Sequence, residues 1–301
     1  MKSECLPFGQ IPHTTRLFSD YLSDFSRVRQ FFPRPPNFSE WFKEETGLIR
    51  YEPERRARVA EILQRQNRNW NASAKVQANI GRFKAGASVV VTGQQVGLFG
   101  GPLFSLFKAL SAVKLAAEAS AAGVECVPIF WLATQDHDLE EVNQAFLPGP
   151  DGALIKFAAP TEGVANAPVS TVTFGAGIET EVQKVAELLG DSEAANWIRE
   201  AYRPGETLGS AFARLFAHLF GNWGVILLDS SDPELSAISE PVYRAAIEKA
   251  AALDDALLNR GRELESSGYH QQVKVTPSST LIFALQNGAR VPVHRRANGG
   301  S

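Results

Sequence analysis

Along the first 85 or so positions the apolar residues recur at helical spacing and are broken by prolines. Helices are therefore predicted over 16–25, 38–45, 54–70 and 72–83, with Pro33, Pro35 and Pro36 marking a connector. From Ala87 onward the pattern changes to short β-branched or apolar runs separated by longer helical stretches, the alternation of a parallel α/β sheet. Strands are predicted at 88–92, 126–133 and 224–229. Between the second and third, EVNQAFLPGPDGALIKFAAP reads as a hairpin turning at Gly149 to Gly152, and VSTVTF (169–174) adds a further β segment. Helices return over 180–189, 193–201 and 208–220. After the third strand, Ser231-Asp232-Pro233 signals a helix start. One long helix is expected from there to about Ser266, packed through a stripe that includes Leu235, Ile238, Val242, Ala246, Ala250, Leu253, Leu257 and Leu264. Short strands are expected around 273–275 and 281–285, followed by a polar, glycine-rich HRRANGGS with neither helix nor strand.

A chain of 301 residues, 44% hydrophobic, can bury a substantial core. No apolar run is long enough to cross a bilayer, and the first residues lack the apolar stretch of a signal peptide, so a cytoplasmic protein is expected. Of the two cysteines, Cys5 and Cys126, the second lies inside an apolar strand and reads as a small core residue rather than half of a disulfide. The net charge of −3 gives no case for nucleic acid, and the basic bias of residues 50–84 reads as a solvated helix face.

Candidate chemistry begins with VVVTGQQVGLFGGPLFSLFKAL (89–110), a strand, a glycine-rich turn and a helix in succession. Gly93, Gly97, Gly100 and Gly101 suit a loop that wraps a ligand, and Pro102 stands at the expected first helical position. Leu103, Leu106, Phe107, Leu110, Val113 and Ala117 are the expected buried face of that helix. Its N-terminal amides and dipole would stabilise a phosphate or carboxylate. The loop is not a Walker A motif, since Gly-Pro-Leu stands where Gly-Lys-Ser/Thr is needed, and its glycine spacing departs from the dinucleotide fingerprint. A tight connection that binds nothing is the plain alternative.

The second constellation is VPIFWLATQDHDLEEVN (127–143), which places Asp136, His137, Asp138, Glu140 and Glu141 just past the carboxyl end of the second strand. Ligands of open α/β sheets bind at that edge, so this turn and the glycine loop should face one crevice. A carboxylate there could orient the imidazole, accept a proton from an attacking amine, or help hold Mg²⁺ on a nucleotide. The plain alternative is a solvated turn histidine followed by first-turn acids. His13, His218, His270 and His294 lack ligand spacing, so no metal site of the protein's own is expected.

These two motifs together resemble the BshC family, the proposed cysteine ligases of bacillithiol biosynthesis. The likeness extends to IPHTTRLFSDYLSDFSRVRQFF, GNWGVILLDSSDPEL, SSGYHQQVKV and LIFALQNGARVPV, and so covers nearly the whole chain. It implies a Rossmann-like core related to nucleotidyltransferases. Within 1–301 that core would comprise a helical segment (15–84), the first half of the sheet with the glycine loop and Asp-His-Asp (86–141), a small β insertion (142–175), and the remaining core with the long helix (176–301). It implies a reaction joining cysteine to glucosaminyl-malate. It also implies longer members that continue into a dimerising coiled coil, so a C-terminally truncated product is expected here.

Amide formation from a free carboxylate is uphill in water, so ATP, with or without Mg²⁺, is the expected activator. Gly93, Gln94, Gln95, Gly97, Gly100, Gly101 and Lys108 are the candidate nucleotide-binding residues, and Asp136, His137 and Asp138 the candidates for positioning the glucosamine amine and taking its proton. Two alternatives stand beside this one: another ATP-dependent enzyme of nucleotidyltransferase type, and a catalytically idle nucleotide-binding fragment.

Overall fold

The computed structural model describes residues 4–273 and 275–295. Its helices are α1 (Arg16–Ser23), α2 (Phe38–Leu48), α3 (Pro53–Asn69), α4 (Ala74–Lys84), α5 (Leu103–Ala121), α6 (Leu139–Val142), α7 (Ile178–Leu189), α8 (Glu193–Ala201), α9 (Leu208–Phe220), α10 (Pro233–Glu248) and α11 (Ala250–Ser266). Its strands are β1 (Ser88–Gln94), β2 (Cys126–Leu132), β3 (Gln144–Pro148), β4 (Leu154–Ala158), β5 (Thr161–Glu162), β6 (Thr173–Phe174), β7 (Ile226–Asp229), β8 (Ser279–Gln286) and β9 (Ala289–His294). Most boundaries lie within a few residues of those the apolar spacing predicts. Side-chain oxygens cap several helix starts: Ser73 accepts from the Val76 amide, Ser192 from Ala195 and Thr207 from Ser210.

Two compact units are present. The first gathers the described residues up to Leu48, Val242–Phe283 and those from Pro292. Within it Val28 and Phe42 are buried, and Tyr269 donates its hydroxyl to Asp20 at 2.9 Å. The second, Ile49–Pro241 with Ala284–Val291, holds the parallel sheet in the order β1-β2-β7. Val91 pairs with Ile129, and Ile129 in turn with Ile226. Alternation along β2 and β7 gives the sheet two apolar faces. Phe130, Leu132 and Leu227 share a core with Phe212, Phe216 and Phe220 of α9. Val127, Ile129, Ile226 and Leu228 pack with Leu63 of α3 and Val76 and Ile80 of α4.

The outer edge of β7 is closed by side chains rather than by a strand. Asn67 donates to the Leu227 carbonyl at 2.8 Å and accepts from its amide at 3.1 Å, while Gln66 makes the same two bonds to Asp229 at 3.1 and 3.0 Å. Two amides on α3 thus take the place of a neighbouring strand, and Asn67 is fully buried with all its polar atoms in use.

Several expectations need correction. The predicted single helix to Ser266 is α10 followed by α11, with Lys249 between them at φ −101°, ψ 12°. Hydrogen bonds from Lys249 N to Ala245 O and from Leu253 N to Lys249 O run through the bend, which is why apolar spacing does not register it. The stripe expected to pack does so only in part: Ala250 is buried and Leu235 and Ile238 pack against a core cluster, but Val242 is 62% exposed and Leu257 38%. Val273 and Val275 lie outside any strand, Lys274 lies outside the described residues, and the terminal hairpin is β8 with β9, which includes His294. The expected 296–301 tail also lies outside the described residues. Pro102 caps α5 from outside rather than opening it.

The buried face of α5 is the predicted one only at Leu106 and Val113, which pack against the core. Ser105, Ala109, Ala112, Ala116 and Ala119 face inward, while Leu103 (66%) and Phe107 (57%) are exposed. Small side chains let the helix axis approach the sheet closely, and a helix apolar on nearly all sides carries no phase that periodicity can read.

Candidate active site

The carboxyl ends of β1 and β2 deliver the two predicted motifs to one place. Gly93 and Gln94 end β1, and the Gln94 carbonyl accepts from Ala133 N just beyond β2. The turn after β2 carries Asp136, His137 and Asp138. It is tied down by Val169 N donating to the Asp136 carbonyl at 2.7 Å and Ser170 N to that of Thr134 at 2.9 Å. Asp138 serves as the N-cap of α6, accepting from Glu141 N at 3.3 Å. Nearby, at the end of β7, the Asp229 carboxylate takes the Thr134 hydroxyl and both the amide and hydroxyl of Ser231.

A relay of side chains crosses the crevice. Lys108 donates to Gln94 Oε1 at 2.8 Å and to the Gly93 carbonyl at 3.3 Å. Gln94 Nε2 then donates to Gln95 Oε1 at 2.6 Å, and Gln95 Nε2 reaches Glu141 at 3.0 Å and Asp136 Oδ2 at 3.5 Å. A cation at one end can only donate and carboxylates at the other can only accept, so the orientation of both amides is determined by their neighbours. Aligned amide dipoles of this kind reinforce one another. Lys108, nearly two turns into α5, therefore does reach back to the loop.

Asp136 and His137 meet a residue that sequence spacing does not bring near. Arg290, from β9, places Nη1 3.2 Å from His137 Nδ1 and 3.6 Å from Asp136 Oδ1. Asp136 Oδ1 also accepts from His137 N at 2.8 Å. The same Nδ1 lies 3.5 Å from Asp136 Oδ1, so guanidinium, imidazole and carboxylate form one cluster. Asp136 is the carboxylate of this cluster, the type of group that can accept a proton. Arg290 lies in ARVPV, a segment with no motif of its own. Only its appearance within the stretch resembling the family marked it.

The glycines of the loop serve its internal packing. A Cβ on Gly93 would stand 2.7 Å from the Trp131 carbonyl oxygen, and one on Gly97 2.7 Å from Gly101 Cα. Gly100 and Gly101 have φ of +98° and +69°, and Phe99 is also left-handed at +52°. The loop amides bond inside it: Gly97 to Gln95 O, Gly100 to Gly97 O, and Gly101 to Leu98 O. Gly100 N also donates to the hydroxyl of Tyr202 at 3.2 Å. The groups aimed across the crevice are instead Gln94, Gln95, Lys108 and Arg290. Among the described residues no cluster of three or more His, Cys, Asp or Glu could hold a metal ion.

Burial pushes the Tyr202 phenol above its ordinary value of 10.0, against the lowering effect of the Gly100 and Phe99 amides. The unfolded chain ionises this group first, so its contribution is intact below pH 10 and is lost as pH rises beyond that value. Tyr202→Phe is expected to lose about 1 kcal/mol at neutral pH. It should also show a shallower alkaline decline in urea unfolding followed from about pH 8 to 11. An unchanged decline would show that another group governs it.

Comparison with known proteins agrees with this parallel α/β architecture. The family model described as bacillithiol biosynthesis BshC, N-terminal Rossmann-like domain, matches residues 1–300. A protein of Koribacter versatilis named "Putative cysteine ligase BshC" is 47% identical over 296 residues, which are 98% of this chain and 56% of that protein. Proteins of the same name from Solibacter usitatus and Salinibacter ruber are 36% and 33% identical, over 99% and 91% of this chain and 56% and 51% of their own lengths. The chain therefore spans little more than half the length of these relatives.

Proposed function

Because the chain belongs to the BshC family of bacillithiol biosynthesis, we propose that its crevice takes part in an ATP-dependent cysteine ligase reaction in the cytoplasm. The observation that carries this reading is the relay from Lys108 through Gln94 and Gln95 to Glu141 and Asp136, with Arg290 behind His137. It sets cationic and amide donors beside a carboxylate able to take a proton. The carboxylate of cysteine attacks the α-phosphorus of ATP and pyrophosphate leaves. The amine of glucosaminyl-malate then attacks the acyl carbon, the amide bond forms, and the bond to AMP breaks. Asp136 receives the ammonium proton released on attack, and the imidazole of His137 orients the acceptor through one of its oxygens. Lys108 and the N-terminus of α5 offset phosphate charge. Any Mg²⁺ would arrive on the nucleotide.

Radiolabelled pyrophosphate exchange into ATP tests this with cysteine against a panel of other acids. Exchange dependent on cysteine is expected. Dependence on a different acid would point to another nucleotidyltransferase-type enzyme. ATP binding without exchange, where the full-length Koribacter versatilis relative does exchange, would mark an idle nucleotide-binding unit.

A further inference from the structure

The two edges of the parallel sheet are treated differently. On β7 the outward groups of Leu227 and Asp229 are bonded to the side chains of Asn67 and Gln66. On β1, Ser88 N bonds to Glu125 O and Gln94 O accepts from Ala133 N, so the even-numbered residues face β2. The odd-numbered residues then point their amides and carbonyls outward. Arg56 covers the Ala87 carbonyl at one end and Lys108 the Gly93 carbonyl at the other. Between them the outward amides and carbonyls of Val89 and Val91 face no second strand among the described residues.

The side chains around this gap are apolar and open to solvent. Val89 is 38% exposed and Val91 52%, although the same face of β2 and β7 is covered. Phe104 and Phe107 of α5 are 49% and 57% exposed, and with Val90, Val91, Thr92 and Lys108 they line a groove of about 320 Å³. Parallel strands are normally buried on both faces, and a helix apolar all round is normally an interior helix. An open, uncharged, apolar edge strand is what folded proteins otherwise avoid.

We propose that this edge of β1 is a docking site for a further parallel strand, supplied by the polypeptide that full-length relatives carry beyond the matched N-terminal domain. A helix or loop adjoining that strand would cover Phe104 and Phe107. Length supports this occupant, since the match takes up only 56% of the Koribacter versatilis protein. Geometry disfavours a second copy: a two-fold dimer through this edge would set β1 antiparallel to itself, whereas both existing ladders are parallel. A strand parallel to β1 would end beside Gln94 and Lys108, bringing the added polypeptide to the crevice. The proposal does not depend on the reaction assigned above.

Hydrogen exchange read at single residues tests it, in this chain and in the full-length Koribacter versatilis relative. In this chain the amides of Val89 and Val91 should exchange at least about 100-fold faster than those of Val90 and Thr92. In the relative the matching four should be protected alike. Persistence of the alternation in the relative would overturn the proposal. So would protection of Val89 and Val91 in this chain that grows with its concentration, because the occupant would then be a second copy. Phe107→Glu gives an independent measurement: the melting temperature of this chain should move by no more than about 2 °C. The corresponding change in the relative should lower it by about 5 °C or more. Equal small shifts in both proteins would show that the α5 face stays uncovered and sink the idea.

Discussion

Replacing Asp136 with asparagine is expected to slow amide formation by about 10²–10⁴-fold, the usual range for loss of a positioned proton acceptor. The replacement is nearly isosteric, and its side-chain oxygen can still accept from His137 N, a bond of 2.8 Å with the native carboxylate. What it removes is the ability to take a proton. The loss should therefore fall on coupling to glucosaminyl-malate, while cysteine-dependent pyrophosphate exchange falls by no more than a few-fold, on the order of 1 kcal/mol. Lys108→Ala should show the reverse, because its ammonium lies at the opposite end of the relay. Both reactions are to be measured on each variant, in this chain and in the full-length Koribacter versatilis relative. An Asp136→Asn protein that loses exchange as severely as coupling would remove the proton-accepting role assigned to this carboxylate.

Alanine at Gly97 is expected to destabilise the second unit by about 3 kcal/mol, at the upper end for overpacking. Its methyl group would lie 2.7 Å from Gly101 Cα, and neither backbone segment can yield without opening the loop. Gly101→Ala should lose about 1–3 kcal/mol for a different reason: φ 69°, ψ −162° is a region open to glycine and strained for alanine. Gly81→Ala is the control. Nothing lies within 4 Å of its added carbon, and in a helix interior the change should stabilise by about 0.5–1 kcal/mol. Urea unfolding of the three variants tests the ranking. Stability near wild type for Gly97→Ala would mean that the loop is not held by this close approach.

Much of the fold was legible because its signals are local. The three core strands begin and end within a few residues of the apolar runs that announce them, since a buried strand needs uninterrupted apolar sequence. The β3–β4 hairpin follows from alternation around Gly149 and Gly152, and its register pairs Gln144 with Ala158 as a turn at that place requires. The site was legible only in outline. Gln94, Gln95, Lys108, Asp136 and His137 do converge, but Arg290 joins them across 153 positions, and no local period encodes such a contact. The glycines were visible as a group, but their packing against one another was not, because the approach of two backbones is a property of the folded loop.

Sequence by itself determined the alternation of strands and helices, the presence of a β insertion and the family, since each rests on residues read in order. Only the tertiary structure decided which side of α5 faces the sheet, that Arg290 meets His137 and Asp136, and that among the described residues β1 is an open edge of the sheet while β7 is closed by side chains. Those outcomes depend on what lies across space from each residue. For α5 the physical reason is plain: alanines permit close approach, so the small side chains turn inward and the larger Leu103, Phe104 and Phe107 remain outside.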